Sequence, residues 1–265
     1  MPYCAMSEKI EKALSEAFVE FLPHSDTYRV DRERYAFSLS RIMSIPDIAE
    51  KRVLDIGTGI GITLVALRKL GVAADGVDRF IFPDAENAMF GRENISDIEK
   101  VWQRYGITVH NTDILDAQAA RMLPKADVIM NEALIEHLKD PRSFLLTCTE
   151  LLSANGYLLL ATPNAATLLK RLRFLFGRSP NWPIESFFAD GEAFTGHWRE
   201  YTMRELRYMC EEAGFRVIET YSKNHLTKFK GLRHWRKNLR ALVAGLSWFF
   251  LHGREMNYVL AQKKH

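Results

Sequence analysis

The chain has 265 residues, of which 47% are hydrophobic and 26% charged, with a formal net charge of +3. That length suits one large α/β domain with additions rather than two separate domains. The composition excludes a disordered or fibrous chain, and the charge is too small to point to nucleic acid. In chain order, residues 7–22 carry Ile10, Leu14, Ala17, Phe18 and Phe21 at helical spacing, which predicts an amphipathic helix. A second helix is expected over 32–43, ahead of Pro46, with Tyr28 and Tyr35 serving either a pocket or the core.

Val53-Leu54-Asp55-Ile56 reads as a buried strand that enters Gly57-Thr58-Gly59-Ile60-Gly61, and residues 62–70 then turn to helical periodicity. Glycines at alternate positions let the backbone turn sharply and let a ligand approach it. The helix N-terminus beyond them offers N–H groups without intrahelical partners. A second strand over 73–77 ends in Asp78, with Arg79 next. It lies about 20 residues past the loop, the separation at which an acid meets ribose hydroxyls in a Rossmann-like unit. The stretch from there to about 92 is longer than a short strand–helix connection, as either a substrate lid or a tolerated insertion. A helix over 95–105 and a third strand over 107–110 lead to Asp113 and Ile114, at a carboxyl end where open α/β sheets take ligands.

A fourth buried strand, 126–130, delivers Asn131 and Glu132, followed by Glu136 and His137. Asp140-Pro141 opens a helix through 152, which Asn155-Gly156 is expected to end before a fifth strand at 157–161. Residues 167–176 read as a basic, apolar helix. The loop 177–199 holds Trp182, Phe187, Phe188, Phe194, His197 and Trp198, and such rings pack on substrate, on a membrane surface or on the protein's own core. Thr202-Met203-Arg204-Glu205 is a capping box. It opens a helix to Ala213, which precedes a sixth strand at 215–219, and the last strand is expected at 257–261. Between these two strands, residues 223–240 carry seven Lys or Arg and no acid, and 241–251 are mainly apolar. This insertion, about 223–252, reads either as a helix packed on the domain or as a peripheral contact with an anionic membrane.

Taken together, V-L-D-I-G-T-G-I-G at 53–61, G-V-D at 76–78, T-D-I-L at 112–115, D-V-I-M-N-E-A-L-I-E-H-L at 127–138, G-Y-L-L-L-A-T-P-N at 156–164 and H-W-R-E-Y-T-M-R-E-L at 197–206 resemble the motifs of the class I methyltransferases that use S-adenosylmethionine, most of all those acting on small molecules. The resemblance covers roughly 32–220. It implies an α/β fold: a Rossmann-like, seven-stranded, mostly parallel sheet with helices on both faces and an antiparallel last strand. It also implies that helices within 1–45 cover the cofactor, whereas the residues alone equally suit two helices packed on the sheet. Gly57, Thr58, Gly59 and Gly61 would then form the cofactor loop and Asp55 would position the amino end. Asp78, with Arg79 beside it, would take the ribose hydroxyls; Asp113 and the Ile114 backbone would take the adenine; and Asn131 would sit by the methionine portion. Many relatives have a glutamate where Ala133 stands, and here Glu132 lies one place earlier.

A hydroxyl acceptor must lose a proton, and His137 and His197 are the candidate bases because imidazole titrates near neutrality. No H-E-x-x-H or paired-cysteine motif suggests a metal, so none is expected. Cys4, Cys148 and Cys210 are odd in number and far apart, which argues against a disulfide framework and for the cytoplasm. The start, Met1-Pro2-Tyr3-Cys4-Ala5, does not read as a secretory signal. The expected activity is methylation, on oxygen first of all, of a sugar, quinone-type or lipid-linked small molecule, with no nucleic-acid partner. Two alternatives stand beside it: a non-catalytic cofactor binder and an NAD-dependent oxidoreductase, the latter weakened because G-T-G-I-G lacks G-x-G-x-x-G spacing.

Overall fold

The structure is a computed structural model that describes residues 3–79, 92–181, 183–191, 194–225, 243, 245–250 and 252–264. Helix α1 (Tyr3–Glu20) and a 3₁₀ segment (His24–Asp31) lead to α2 (Arg32–Ile42), β1 (Arg52–Ile56), α3 (Ile62–Lys69), β2 (Ala73–Asp78), α4 (Arg92–Arg104) and β3 (Val109–Asn111). The chain continues through α5 (Ala117–Arg121), β4 (Ala126–Glu132), α6 (Pro141–Leu151), β5 (Leu152–Pro163), α7 (Leu168–Leu175), α8 (Ile184–Asp190), α9 (Met203–Glu212), β6 (Phe215–Lys223) and β7 (Met256–Lys263).

The seven strands form one sheet in the order β3-β2-β1-β4-β5-β7-β6. The pairings from β3 through β5 are parallel. Strand β7 runs antiparallel and pairs with β5 as well as with β6. The sheet is therefore the Rossmann-like one expected, with its antiparallel strand wedged between two others.

Alternation along each strand divides the core between the two faces. From β1, Val53 joins one apolar cluster together with α1, α2, α3 and α4, whereas Leu54 and Ile56 join a second with α6 and α9. Ile10, Leu14, Ala17, Phe18 and Phe21, which set the helical pattern of α1, are all buried. Asp140 caps α6 by accepting from the Ser143 N–H, and Thr202 and Glu205 form the expected capping box of α9.

Several boundaries differ from the sequence reading. Strand β5 starts at Leu152, because α6 ends at Leu151 and the next residue is already extended. Asn155 adopts a positive φ of 60°, so Asn155-Gly156 makes an irregularity within the strand rather than a helix cap. Strand β3 covers 109–111, a shorter stretch than the apolar run suggests, and β6 continues to Lys223. Helices α5 and α8 are 5 and 7 residues long, too short for periodicity to reveal. The 80–91 loop and most of the 223–252 insertion lie outside the described residues. Among the described residues, no helix is long and apolar enough to cross a membrane.

Candidate active site

The carboxyl ends of β1, β2 and β4 meet beneath the glycine turn. The Gly57 N–H donates to the Val77 carbonyl at 2.8 Å, which ties the turn to β2. Gly57, Gly59 and Gly61 have φ of 80°, 56° and 87°, values that side chains with a Cβ rarely adopt. At Gly61 a Cβ would stand 2.8 Å from Trp102 Nε1, whose N–H donates to the Ile60 carbonyl at 2.8 Å. Helix α4 thus clamps the turn from outside. Gly76 is needed for a different reason: a Cβ there would meet Thr58 Cγ2 at 2.7 Å.

The acids at the strand ends are linked. Asp78 Oδ2 accepts from the Gly59 N–H at 2.6 Å and its Oδ1 accepts from the Arg79 N–H at 2.7 Å. The Arg79 guanidinium donates to Asp113 Oδ2 at 2.9 Å, while Asp113 Oδ1 accepts from the Leu115 N–H at 2.9 Å. Asp113 is therefore already engaged on both oxygens, and the Ile114 side chain is buried. Burial raises the pKa of Asp78, and the two backbone donors oppose that rise.

Asp55 is buried and turns inward. Its Oδ2 accepts from the Thr63 and Thr58 hydroxyls at 2.5 and 3.1 Å, and its Oδ1 has no hydrogen-bond partner. Burial pushes this carboxyl up to about 7, against the two hydroxyl donors. Asn131 donates to the Ile56 carbonyl at 2.8 Å, and its buried Oδ1 also lacks a partner. Asp55, Thr58, Thr63, Tyr28, Tyr35 and Glu132 line one cleft. The Tyr28 hydroxyl, buried and without a partner, reaches it from the 3₁₀ segment before α2.

Glu132 closes the inner wall. Its Oε1 accepts from Ser38, and its Oε2 lies 3.0 Å from Arg34 Nε, an ion pair whose alignment falls short of a hydrogen bond. Burial pushes Glu132 up to about 8, although Arg34 pulls it down. Arg34 also pairs with Asp31 at 3.4 Å. Helix α2 is thus held over the site through Glu132, which Ser38 and Arg34 both meet, a link between distant segments that sequence reading missed.

On the other side of the β4 tip lies a second cluster. Glu136 is fully buried and accepts from the Thr162 hydroxyl at 2.8 Å. His137 Nδ1 lies 2.9 Å from the Thr195 carbonyl and 3.2 Å from the Gly196 carbonyl. Carbonyls only accept, so Nδ1 carries the proton and the neutral ring keeps its lone pair on Nε2. His197 stands edge-on to His137, with ring centroids 4.8 Å apart, and its Nδ1 lies 3.0 Å from Glu200 Oε1. Burial, His137 and Lys170 together push His197 down to about 4, so it is neutral at pH 7. Lys170 on α7 pairs with Glu200. One ligand atom from each of Glu136, His137 and His197 lies within 4.8 Å of the others. No sequence motif announced this donor set, because one member sits far from the other two in the chain. Arg199 donates to Glu205 at 2.7 Å, which clamps its loop.

A model of the methyltransferase domain matches residues 28–220. Among curated relatives, the ubiquinone biosynthesis O-methyltransferase of Histophilus somni (strain 2336) is 35% identical over 117 residues, 44% of this chain and 47% of that protein. The human mitochondrial protein of the same description is 24% identical over 187 residues, 71% of this chain and 47% of its own length. The chain thus spans about half the length of the curated relatives it matches. A SAM-dependent methyltransferase from Archaeoglobus fulgidus superposes with a TM-score of 0.54 at 20% identity, over 90% of this chain and 100% of the other. Phosphoethanolamine N-methyltransferase 2 of Haemonchus contortus, in complex with S-adenosyl-L-methionine, gives 0.54 at 17% identity over 88% of this chain and 53% of its own. At those identities the superpositions speak to the fold alone.

Proposed function

This chain belongs to the class I S-adenosylmethionine-dependent methyltransferases, and from that premise we propose that it transfers the methyl group to a hydroxyl of a small molecule, a quinone-type phenol before a sugar. The observation that carries the reading is the pairing of two sites across the β4 tip: the glycine turn held on Asp78, and the Glu136–His137–His197 cluster.

The donor set on the cofactor side fits S-adenosylmethionine. Asp55 Oδ1 and Asn131 Oδ1, buried and without partners, are acceptors suited to an ammonium group. Asp78 presents an anion at the position where ribose hydroxyls donate, and Arg79 and Asp113 continue that edge toward the purine. A 2′-phosphate would meet the Asp78 carboxylate unfavourably. When bound, the cofactor supplies an electrophilic methyl group on a positively charged sulfur. The chain's own contribution is alignment, since holding two reactants in line is worth about 7–11 kcal/mol, together with removal of the acceptor's proton. His137 Nε2 takes that proton, and the Thr195 and Gly196 carbonyls steady the imidazolium through Nδ1–H. General-base assistance of this kind contributes about 10²–10⁴-fold. The phenol class follows the relatives named for ubiquinone biosynthesis.

The test is transfer of labelled methyl from S-adenosylmethionine to catechol-type acceptors by the whole chain, followed by the His137→Ala and His197→Ala variants. Product with a phenol, lost mainly in His137→Ala, supports the reading. Unchanged turnover in both variants removes the base. The same three side chains have the His₂Glu composition of a divalent-ion site. Turnover that a chelator abolishes and added divalent metal restores would make them ligands rather than a base and its support.

A further inference from the structure

The apolar surface of this protein is unevenly spread. Among the described residues, every exposed phenylalanine lies at 174–188 or at 249–250. Phe174, Leu175 and Phe176 at the end of α7 are 68%, 76% and 77% exposed, and Phe188 in α8 is 86% exposed. Rings and leucines left in water at that level mark an interaction surface rather than ordinary scatter. The charges along α7 have one sign: residues 167–178 contain Lys170, Arg171, Arg173 and Arg178 and no acid, whereas α8 carries the exposed acids Glu185 and Asp190. The three arginines are exposed.

This surface is fixed to the site. The N–H of Leu168, at the start of α7, donates to the Gly253 carbonyl at 2.9 Å, and the Gly253 N–H donates to the Phe250 carbonyl at 3.1 Å. That places the 249–250 aromatics at the foot of the same helix. Lys170 pairs with Glu200, whose other oxygen holds His197. Across the loop, Phe187 packs edge-on against Phe194 and Trp198, so the root of α8 is anchored while Phe188 points to solvent.

We propose that α7 and α8 form a docking face for an anionic lipid bilayer, with Phe174, Leu175, Phe176 and Phe188 entering the interface and Arg171, Arg173 and Arg178 meeting acidic headgroups. A basic, aromatic, apolar helix too short to span is what a bilayer surface holds. The cations select anionic lipid within a Debye length of the surface. The partner is a membrane rather than an acidic protein because the apolar anchors are exposed around most of α7, whereas a protein groove would take one stripe. The proposal does not require that the site transfer methyl groups.

The experiment is sedimentation of the full chain with vesicles of phosphatidylcholine alone and of phosphatidylcholine mixed with phosphatidylglycerol. The chain is expected to pellet with the mixed vesicles and to be released by salt. The R173E/R178E variant, and separately the F174S/F188S variant, should each lower partitioning by roughly tenfold or more, with circular dichroism unchanged because all four side chains are exposed. Equal binding to both vesicle types, or none to either, overturns the proposal. So does full binding by both variants, with loss only when Lys228 and Lys230 are reversed, since the 226–242 segment would then be the contact. A dimer seen by light scattering and dissolved in F174S/F188S would make the face a contact between copies and also overturn it.

Discussion

Replacing Arg34 by methionine tests whether the wall between α2 and β4 is held by a buried charge pair. Arg34 Nε lies 3.0 Å from Glu132 Oε2, with side chains 13% and 5% exposed. Glu132 holds its proton up to about pH 8 in the folded chain, against an ordinary 4.5. A raised carboxyl pKa means that the folded state keeps a proton the unfolded chain has already lost. Stability therefore falls as pH climbs from about 4.5 to about 8 and levels off above that. Without Arg34 the folded pKa moves higher still and the falling window extends upward. At about pH 6, Glu132 is protonated in both proteins, and the variant loses only packing and the Asp31 contact, about 1 kcal/mol. Above 8 the deficit grows by at most about 1.4 kcal/mol per pH unit, because protonation caps the cost of the unpaired anion. A chain of this size shifts by about 2–4 °C per kcal/mol. Thermal unfolding should thus show a deficit of about 2–4 °C near pH 6 and roughly double that near pH 9. The E132Q background should abolish the pH-dependent part. A deficit equal at both pH values, or larger at the lower, would refute the reasoning.

Other substitutions probe the rest of the site. Gly61→Ala should cost about 2–4 kcal/mol in denaturant unfolding, the sum of a positive-φ penalty and displacement of the Trp102 indole from the Ile60 carbonyl. Asp78→Asn should weaken S-adenosylmethionine binding in calorimetry by about ten- to a hundredfold, the value of hydrogen bonds to a charged acceptor, while leaving the fold intact. Asp55 must ionise to hold an ammonium group, and it stands at about 7, so cofactor affinity should rise with pH up to about 7 and then flatten. Binding should release a proton, and Asp55→Asn should flatten the profile. Turnover of His137→Ala should fall by about 10²–10⁴-fold, and a loss smaller than tenfold would disqualify it as the base.

Much of the fold was legible because the strands are short β-branched and leucine runs ending in acids, and the helices long enough to show a period. Thr202-Met203-Arg204-Glu205 made its cap locally, from residues adjacent in the chain. The errors arose where local chemistry was ambiguous: Asn155-Gly156 suits a helix stop, yet the chain had already straightened at Leu152 and used the pair inside β5. The glycine turn and Asp78 could be paired from spacing, because the strand–helix–strand unit fixes their distance. The Arg34–Glu132 pair and the joining of His197 to Glu136 and His137 could not, because each depends on how segments far apart in the chain cross above the sheet. Asp113 was legible as a strand-end acid, but its ties to Arg79 and Leu115 were not. The rings of the 177–199 loop could be seen as costly in water, but only the structure separates Phe194, which is buried, from Phe188, which is exposed.

The most direct measurement is calorimetric titration of the purified chain with S-adenosylmethionine and with NADH. A single site for S-adenosylmethionine, weakened in Asp78→Asn, with no heat from NADH, is the predicted result. Uptake of NADH with indifference to S-adenosylmethionine would contradict the assignment of the glycine turn and its three acids to an adenosyl sulfonium.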